Sequence, residues 1–122
     1  MIVIGGMIGI GKTTTAKTIS EELLLPVFYE SVSDNKVLPL FYKADEKELE
    51  QKRYPILLQL NFLSSRFRNL RMATSYPNAV LDRSIYEDRY FCRRNHDLGR
   101  ISELEMEVHD SLFDQICYSV CN

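Results

Sequence analysis

Apolar residues recur along this chain with two different periods. Three short runs, Ile2-Val3-Ile4, Val27-Phe28-Tyr29 and Ala79-Val80-Leu81, end at Gly5, Glu30 and Asp82. Such apolar, β-prone runs closed by a polar residue or a glycine predict short buried strands. Between them the apolar positions step by three and four. Thr13 to Leu25 carries Ala16, Ile19 and Leu23 against Lys17, Glu21 and Glu22, and Pro26 stops it. Ile56 to Ala73 is the clearest helix, with Ile56, Leu60, Leu63, Phe67 and Leu70 as its stripe for burial. On another face Gln59 and Arg66 stand two turns apart and nearly eclipsed, a polar pair on a largely apolar helix. Ile85 to Arg94 continues helically. Ser102 and Glu105 form a capping box, after which Leu104, Val108, Leu112, Ile116 and Val120 step by four through a final helix. Loops are expected at Ser31 to Asn35, where Ser and Asp are cap candidates, at Tyr76-Pro77-Asn78, and at Asn95 to Arg100. The apolar patch Val37 to Tyr42 precedes Lys43 to Lys52, whose dense charge predicts a solvated loop or the first turns of a helix.

Strands that alternate with helices predict a parallel α/β sheet, and in such sheets ligands gather beyond the C-terminal strand edges. The first strand runs directly into Gly6 to Thr13, a complete Gly-x-x-x-x-Gly-Lys-[Ser/Thr] match followed by a helix. Glycines let the backbone curl so that several amide hydrogens point inward, and the following helix aims its positive end at the same spot. The result is a cradle for a nucleoside triphosphate, formed by Gly6, Met7, Ile8, Gly9, Ile10, Gly11, Lys12, Thr13 and Thr14. Lys12 is the candidate for the β- and γ-phosphates, and the Thr13 hydroxyl is a candidate Mg²⁺ ligand. The bland alternative is a glycine-rich strand-to-helix turn that binds nothing. The fold class is therefore α/β, of the P-loop NTPase kind, three-layered α/β/α with about three parallel strands.

Composition narrows the class further. A chain of 122 residues predicts a single domain, 1–122, and its net charge of -2 provides no global field for nucleic acid or an anionic membrane. Cys92, Cys117 and Cys121 form no C-x-x-C pair and leave an odd thiol, which argues against a disulfide framework and for a reducing compartment. With no apolar run of spanning length and no leader-like opening, the expectation is a cytoplasmic protein. His96 and His109 lack metal-ligand spacing and are expected on the surface, and two thiols at Cys117 and Cys121 do not by themselves make a metal site.

Asp82, at the end of an apolar strand, has the setting of the acid that holds Mg²⁺ directly or through water beside a phosphate loop. No guanine-specifying Asn-Lys-x-Asp is present, since Asp34-Asn35-Lys36 does not supply it. Glu30 is the second strand-end acid, suited either to accept a proton from an acceptor hydroxyl or simply to cap the next segment.

Four segments, Phe28 to Val32, Val37 to Tyr42, Leu57-Leu58-Gln59 through Arg66-Phe67-Arg68, and Leu81-Asp82-Arg83-Ser84-Ile85-Tyr86-Glu87-Asp88, resemble in order and spacing the deoxynucleoside kinase family. The resemblance is in particular to its bacterial deoxyadenosine and deoxyguanosine kinases, and it runs from Met1 to about Gln115. It implies a homodimeric enzyme that transfers the γ-phosphoryl group of ATP, with Mg²⁺, to the 5′-hydroxyl of a deoxynucleoside, a purine being favoured. By the same resemblance Glu30 is the base near that hydroxyl and Tyr42 touches the sugar 3′-hydroxyl. Gln59 pairs with the nucleobase edge, while Arg66 with Asp88 forms the polar couple behind it. Arg83 covers the transferring group and Asp82 holds the metal, so Lys12, Glu30, Asp82 and Arg83 form the catalytic set. The role of base lies between Glu30 and Asp82, with Glu30 favoured. Residue by residue, Tyr42 reads equally as core, Arg66 as a solvated helix charge and Asp88 as a first-turn charge.

Against the family pattern, the later strands, an arginine-rich lid and the loop over the ATP base have no counterpart in this sequence. The charged stretch around Lys43 to Lys52 is longer, and Ile116 to Asn122 resembles a divergent tail. The alternative expectation is accordingly a non-catalytic remnant that binds nucleotide or dimerises.

Overall fold

The computed structural model describes residues 1–5, 12–29, 35–82 and 85–121, the side chains of Lys12, Tyr86, Val120 and Cys121 excepted. Three strands, β1 (Ile2–Ile4), β2 (Val27–Phe28) and β3 (Val80–Asp82), form one parallel sheet in the order β1-β3-β2. The helices are α1 (Lys12–Leu23), α2 (Val37–Lys43), α3 (Glu46–Lys52), α4 (Tyr54–Ala73), α5 (Tyr86–Asp97) and α6 (Glu103–Cys121). They fall into two compact units, residues 1–30 with 66–87 and residues 31–65 with 88–122.

The first unit is the sheet with α1 and the end of α4. Its central strand is the last in sequence: Val80, Leu81 and Asp82 are all buried, as an apolar run flanked on both sides predicts. The ladder pairs Ile4 with Asp82 and Phe28 with Leu81, so Gly5, Tyr29 and Asp82 share one edge of the sheet. Backbone bonds from Ile2 N to the Ala79 carbonyl and from Val80 N to the Pro26 carbonyl, both 2.8 Å, close the other edge. α1 lies against the strands with Ala16 fully buried. It ends two residues earlier than its periodicity suggests. Leu24 takes the left-handed conformation (φ 55°), while Leu25 N donates back to the Ser20 carbonyl at 3.0 Å.

The elements described in the second unit are all helices. Ile56, Cys92 and Ile101 form a core cluster against which Leu60 and Met106 pack. The charged stretch after Tyr42 folds mostly as α3, started by Asp45, whose Oδ1 accepts from Glu48 N at 2.8 Å. α2 is capped by Asn35, whose Oδ1 accepts from the Val37 and Leu38 amides at 3.0 Å each. The Ser and Asp candidates of residues 31–34 lie outside the described residues.

Between α3 and α4 the chain turns at Arg53 in the left-handed conformation (φ 56°). Its guanidinium grips Glu105, Nε donating to Oε2 at 3.0 Å and Nη2 pairing with Oε1. The same carboxylate completes the capping box of α6, accepting from Ser102 N at 2.8 Å while Ser102 Oγ accepts from Glu105 N at 3.1 Å. The Arg53 bond is the main reason the Glu105 carboxyl is held below its usual range.

α6 departs from its expected facing. Leu104, Val108 and Leu112 are exposed, and the buried residues are His109, Phe113 and Ile116. Both sets have helical spacing and share Ile116, the one member of the expected stripe that is buried among the described side chains. His109, expected on the surface, is completely buried.

Candidate active site

At the shared edge of the sheet the first unit brings two predicted residues together. Thr13, in the first turn of α1, donates from Oγ1 to Asp82 Oδ2 at 2.8 Å, across 69 residues of sequence. Asp82 is only 4% exposed, because β3 is the central strand and its last side chain is enclosed. α1 begins at Lys12, so its positive N-terminal end faces the same edge. A hydroxyl and a carboxylate already in register, beside helix amides, fit a hydrated Mg²⁺ held by one carboxylate and a threonine. Among the described residues no cluster of three or more His, Cys, Asp or Glu offers an all-protein metal site. Gly6, Met7, Ile8, Gly9, Ile10, Gly11, Glu30 and Arg83 lie outside the described residues, and Lys12 is described by its backbone alone.

Two residues that sequence reasoning missed belong to this edge. A Cβ at Gly5 would come within 2.5 Å of Glu87 Oε1, so Gly5 leaves room for a carboxylate at the entrance to the loop. Asn69 on α4 donates from Nδ2 to the Tyr29 carbonyl at 3.1 Å, immediately before Glu30. The only sequence signals for them are their neighbours, Asp88 after Glu87 and Arg66 one turn before Asn69. Arg66 itself is 5% exposed, which removes the reading of a solvated helix charge.

In the second unit Gln59 is 5% exposed, and its Oε1 has no hydrogen-bond partner among the described residues. An amide oxygen removed from water and left open is costly unless a ligand completes it. Asp88, in the first turn of α5, is fully buried. Tyr42 is 73% exposed at the end of α2, so the core reading does not hold for it.

His109 on α6 lies near the Gln59 main chain. Burial pushes its imidazole below the ordinary value, opposed by the charge of Asp110. Around it Arg89 meets Asp110 at 3.4 Å and Asp114 at 3.3 Å, and Arg93 meets Asp110 at 3.6 Å. The Cys92 thiol is pushed up to about 12, chiefly by burial, and is therefore inert core.

Residues 2–121 match the family model described as deoxynucleoside kinase, so the match continues beyond Gln115 through the segment expected to be a divergent tail, which is the end of α6. The chain is 45% identical over 112 residues to a deoxyguanosine kinase of Lactobacillus johnsonii, covering 92% of this chain and 47% of that one. It is 36% identical over 116 residues to a deoxyadenosine kinase of Lactobacillus acidophilus, covering 95% and 51%. Its fold is similar to the solved deoxyadenosine kinase of M. mycoides with products dCMP and dCDP bound. That comparison has a TM-score of 0.79 and 27% identity, and covers 93% of this chain and 56% of the other. The chain thus spans about half the length of the relatives it matches. With the phosphate-loop helix bonded to the strand-end acid and a buried, open amide on α4, the chain belongs to the deoxynucleoside kinase family.

Proposed function

We propose that this chain forms the nucleotide- and nucleoside-binding part of a kinase domain that transfers the γ-phosphoryl group of ATP to the 5′-hydroxyl of a deoxynucleoside, purines being favoured. The observation that carries the proposal is the Thr13 to Asp82 hydrogen bond at the end of the phosphate-loop strand. Lys12 and the amides at the start of α1 hold the triphosphate. Thr13 and Asp82 hold Mg²⁺, which when bound neutralises charge on the transferring group. Glu30 accepts the hydroxyl proton, Arg83 faces the phosphoryl group, and Tyr42 meets the sugar. Gln59 reads the base edge with the donor and acceptor of one amide, with Arg66 and Asp88 supporting it.

Two further expectations belong to the same proposal. Leu104, Val108 and Leu112 leave an apolar stripe exposed on α6, which suits a second copy of the chain. The buried thiol of Cys92, which forms no disulfide, suits a reducing, cytoplasmic setting, and no described helix is long and apolar enough to cross a membrane.

The test is transfer of label from γ-labelled ATP to each deoxynucleoside in turn. The expected product is a labelled deoxynucleoside monophosphate, with deoxyguanosine or deoxyadenosine preferred; no labelled product from any deoxynucleoside overturns the proposal. A second reading, favoured by a match spanning 47% of a relative, is a chain that binds nucleotide or dimerises without transfer. Saturable ATP binding with no labelled product would select it.

A further inference from the structure

The densely charged stretch after Tyr42 has no part in the proposed transfer, yet it forms one wall of a cavity. Within the second unit, α3, Arg53, the first turn of α4 and the turn between α5 and α6 enclose about 350 Å³, toward the lower end of the size range of small-molecule sites. Its apolar side consists of Leu49 and Pro55, both buried, and Leu98, which is exposed. Three cations on different elements complete the lining: Lys47 on α3, Arg53 just after it, and Arg100 before α6.

The acids nearby do not use up these cations. Arg53 gives Nε and Nη2 to Glu105 and feels the charge of Glu50, and the double bond to Glu105 holds its guanidinium in place. Arg100 gives Nη2 to Glu46 at 3.2 Å, but the Glu46 side chain is 78% exposed, which makes the pair weak and easily exchanged. Lys47 has neither an ion pair nor a hydrogen bond among the described residues. Since arginine carries five donors and lysine three, most of the donors on this rim are open. Donors that arrive from three elements suit a phosphate, whose terminal oxygens point to different sides, better than the two coplanar oxygens of a carboxylate. The space is larger than inorganic phosphate fills, and the apolar side suits an organic group.

We propose that this cavity is a ligand site outside the proposed active site, taking a small organic phosphate monoester whose oxygens meet Lys47, Arg53 and Arg100 while its apolar part lies on Leu49, Pro55 and Leu98. The site stands apart from the kinase reading, because none of the residues assigned to phosphoryl transfer or nucleoside binding lines it.

The test uses phenyl phosphate, which has no sugar or nucleobase for the nucleoside site. Titrated at low salt into isotope-labelled protein, it is expected to move the amide NMR signals of Leu49, Leu98 and Gly99 saturably, with a Kd at or below about 1 mM. Benzoate and inorganic phosphate are each expected to bind about ten-fold more weakly, the first lacking the tetrahedral oxygens and the second the apolar group. Lys47→Gln and Arg100→Gln should each weaken phenyl phosphate about three- to ten-fold with circular dichroism unchanged. No saturable movement of those signals, equal affinity for benzoate or for inorganic phosphate, or full affinity in both variants overturns the proposal.

Discussion

The two compact units differ at one buried polar side chain each, Asp82 and Gln59. In the first, a hydroxyl and a carboxylate from distant parts of the chain satisfy each other at the edge of a parallel sheet, beside the N-terminal end of α1. In the second, Gln59 is buried, and its amide oxygen has no hydrogen-bond partner among the described residues. Under the proposed function the first arrangement suits charge, its hydroxyl and carboxylate already oriented for a cation beside a phosphate tail. The second is one for shape, in which an incomplete hydrogen bond makes any ligand that fails to complete it costly. Under the proposed function, the difference assigns chemistry common to all substrates and discrimination among them to different local structures of this chain.

Substitutions should separate the two. The largest effect is expected from Asp82→Asn, which keeps the volume and the Thr13 bond but removes the charge. Transfer to every nucleoside should fall about a hundred- to a thousand-fold, with circular dichroism unchanged. An equal loss for only one nucleoside would break the division of labour. Next comes Gln59→Leu, expected to raise KM for the preferred nucleoside about ten- to a hundred-fold and to narrow the preference between bases while kcat for a poor substrate holds. Uniform loss of kcat would place Gln59 with the first unit instead.

Acid sensitivity should belong to the second unit. His109 is buried and its folded pKa is lowered from 6.5, so its contribution to stability is complete above that value. It is lost as pH falls below it, because the unfolded chain takes a proton that the folded one resists. Glu105, also lowered, adds the same direction of loss further into acid. His109→Gln is expected to flatten the dependence of Tm on pH just below 6.5, and an unchanged slope in thermal melts would reject that assignment. The smallest effect lies in the first unit. Leu24 is 89% exposed in a left-handed conformation that costs a side-chain-bearing residue about 1–2 kcal/mol. Leu24→Gly should raise stability by about 0.5 kcal/mol in urea titration after the entropy of glycine is subtracted.

Much of the architecture was legible in the residues. The three strands were marked by β-branched runs with Gly5, Glu30 and Asp82 at their ends. α4 was marked by a stripe that the structure buries at Ile56, Leu63 and Leu70. The capping box of α6 was equally local, since its bonds join residues three apart. The charged stretch was harder to read, because Asp45 and Glu48 start a helix there while the surrounding Lys and Glu residues suit solvent in either state. Gln59, Arg66 and Asp88 were found as polar residues in motif order, but their burial was not readable, since a charged side chain on a helix is usually solvated.

By itself, the sequence determined most of the local elements and, through their alternation, the parallel sheet, because the strand runs, helical stripes and caps are each built from residues close together in the chain. Only the tertiary structure decided that β3 is central, that α6 covers His109, Phe113 and Ile116 while leaving Leu104, Val108 and Leu112 exposed, and that Asn69 reaches Tyr29. The physical reason is that a helical period shows which side chains share a face but not what comes to cover it. A hydrogen bond across 40 or 69 residues leaves no trace in the composition of either end.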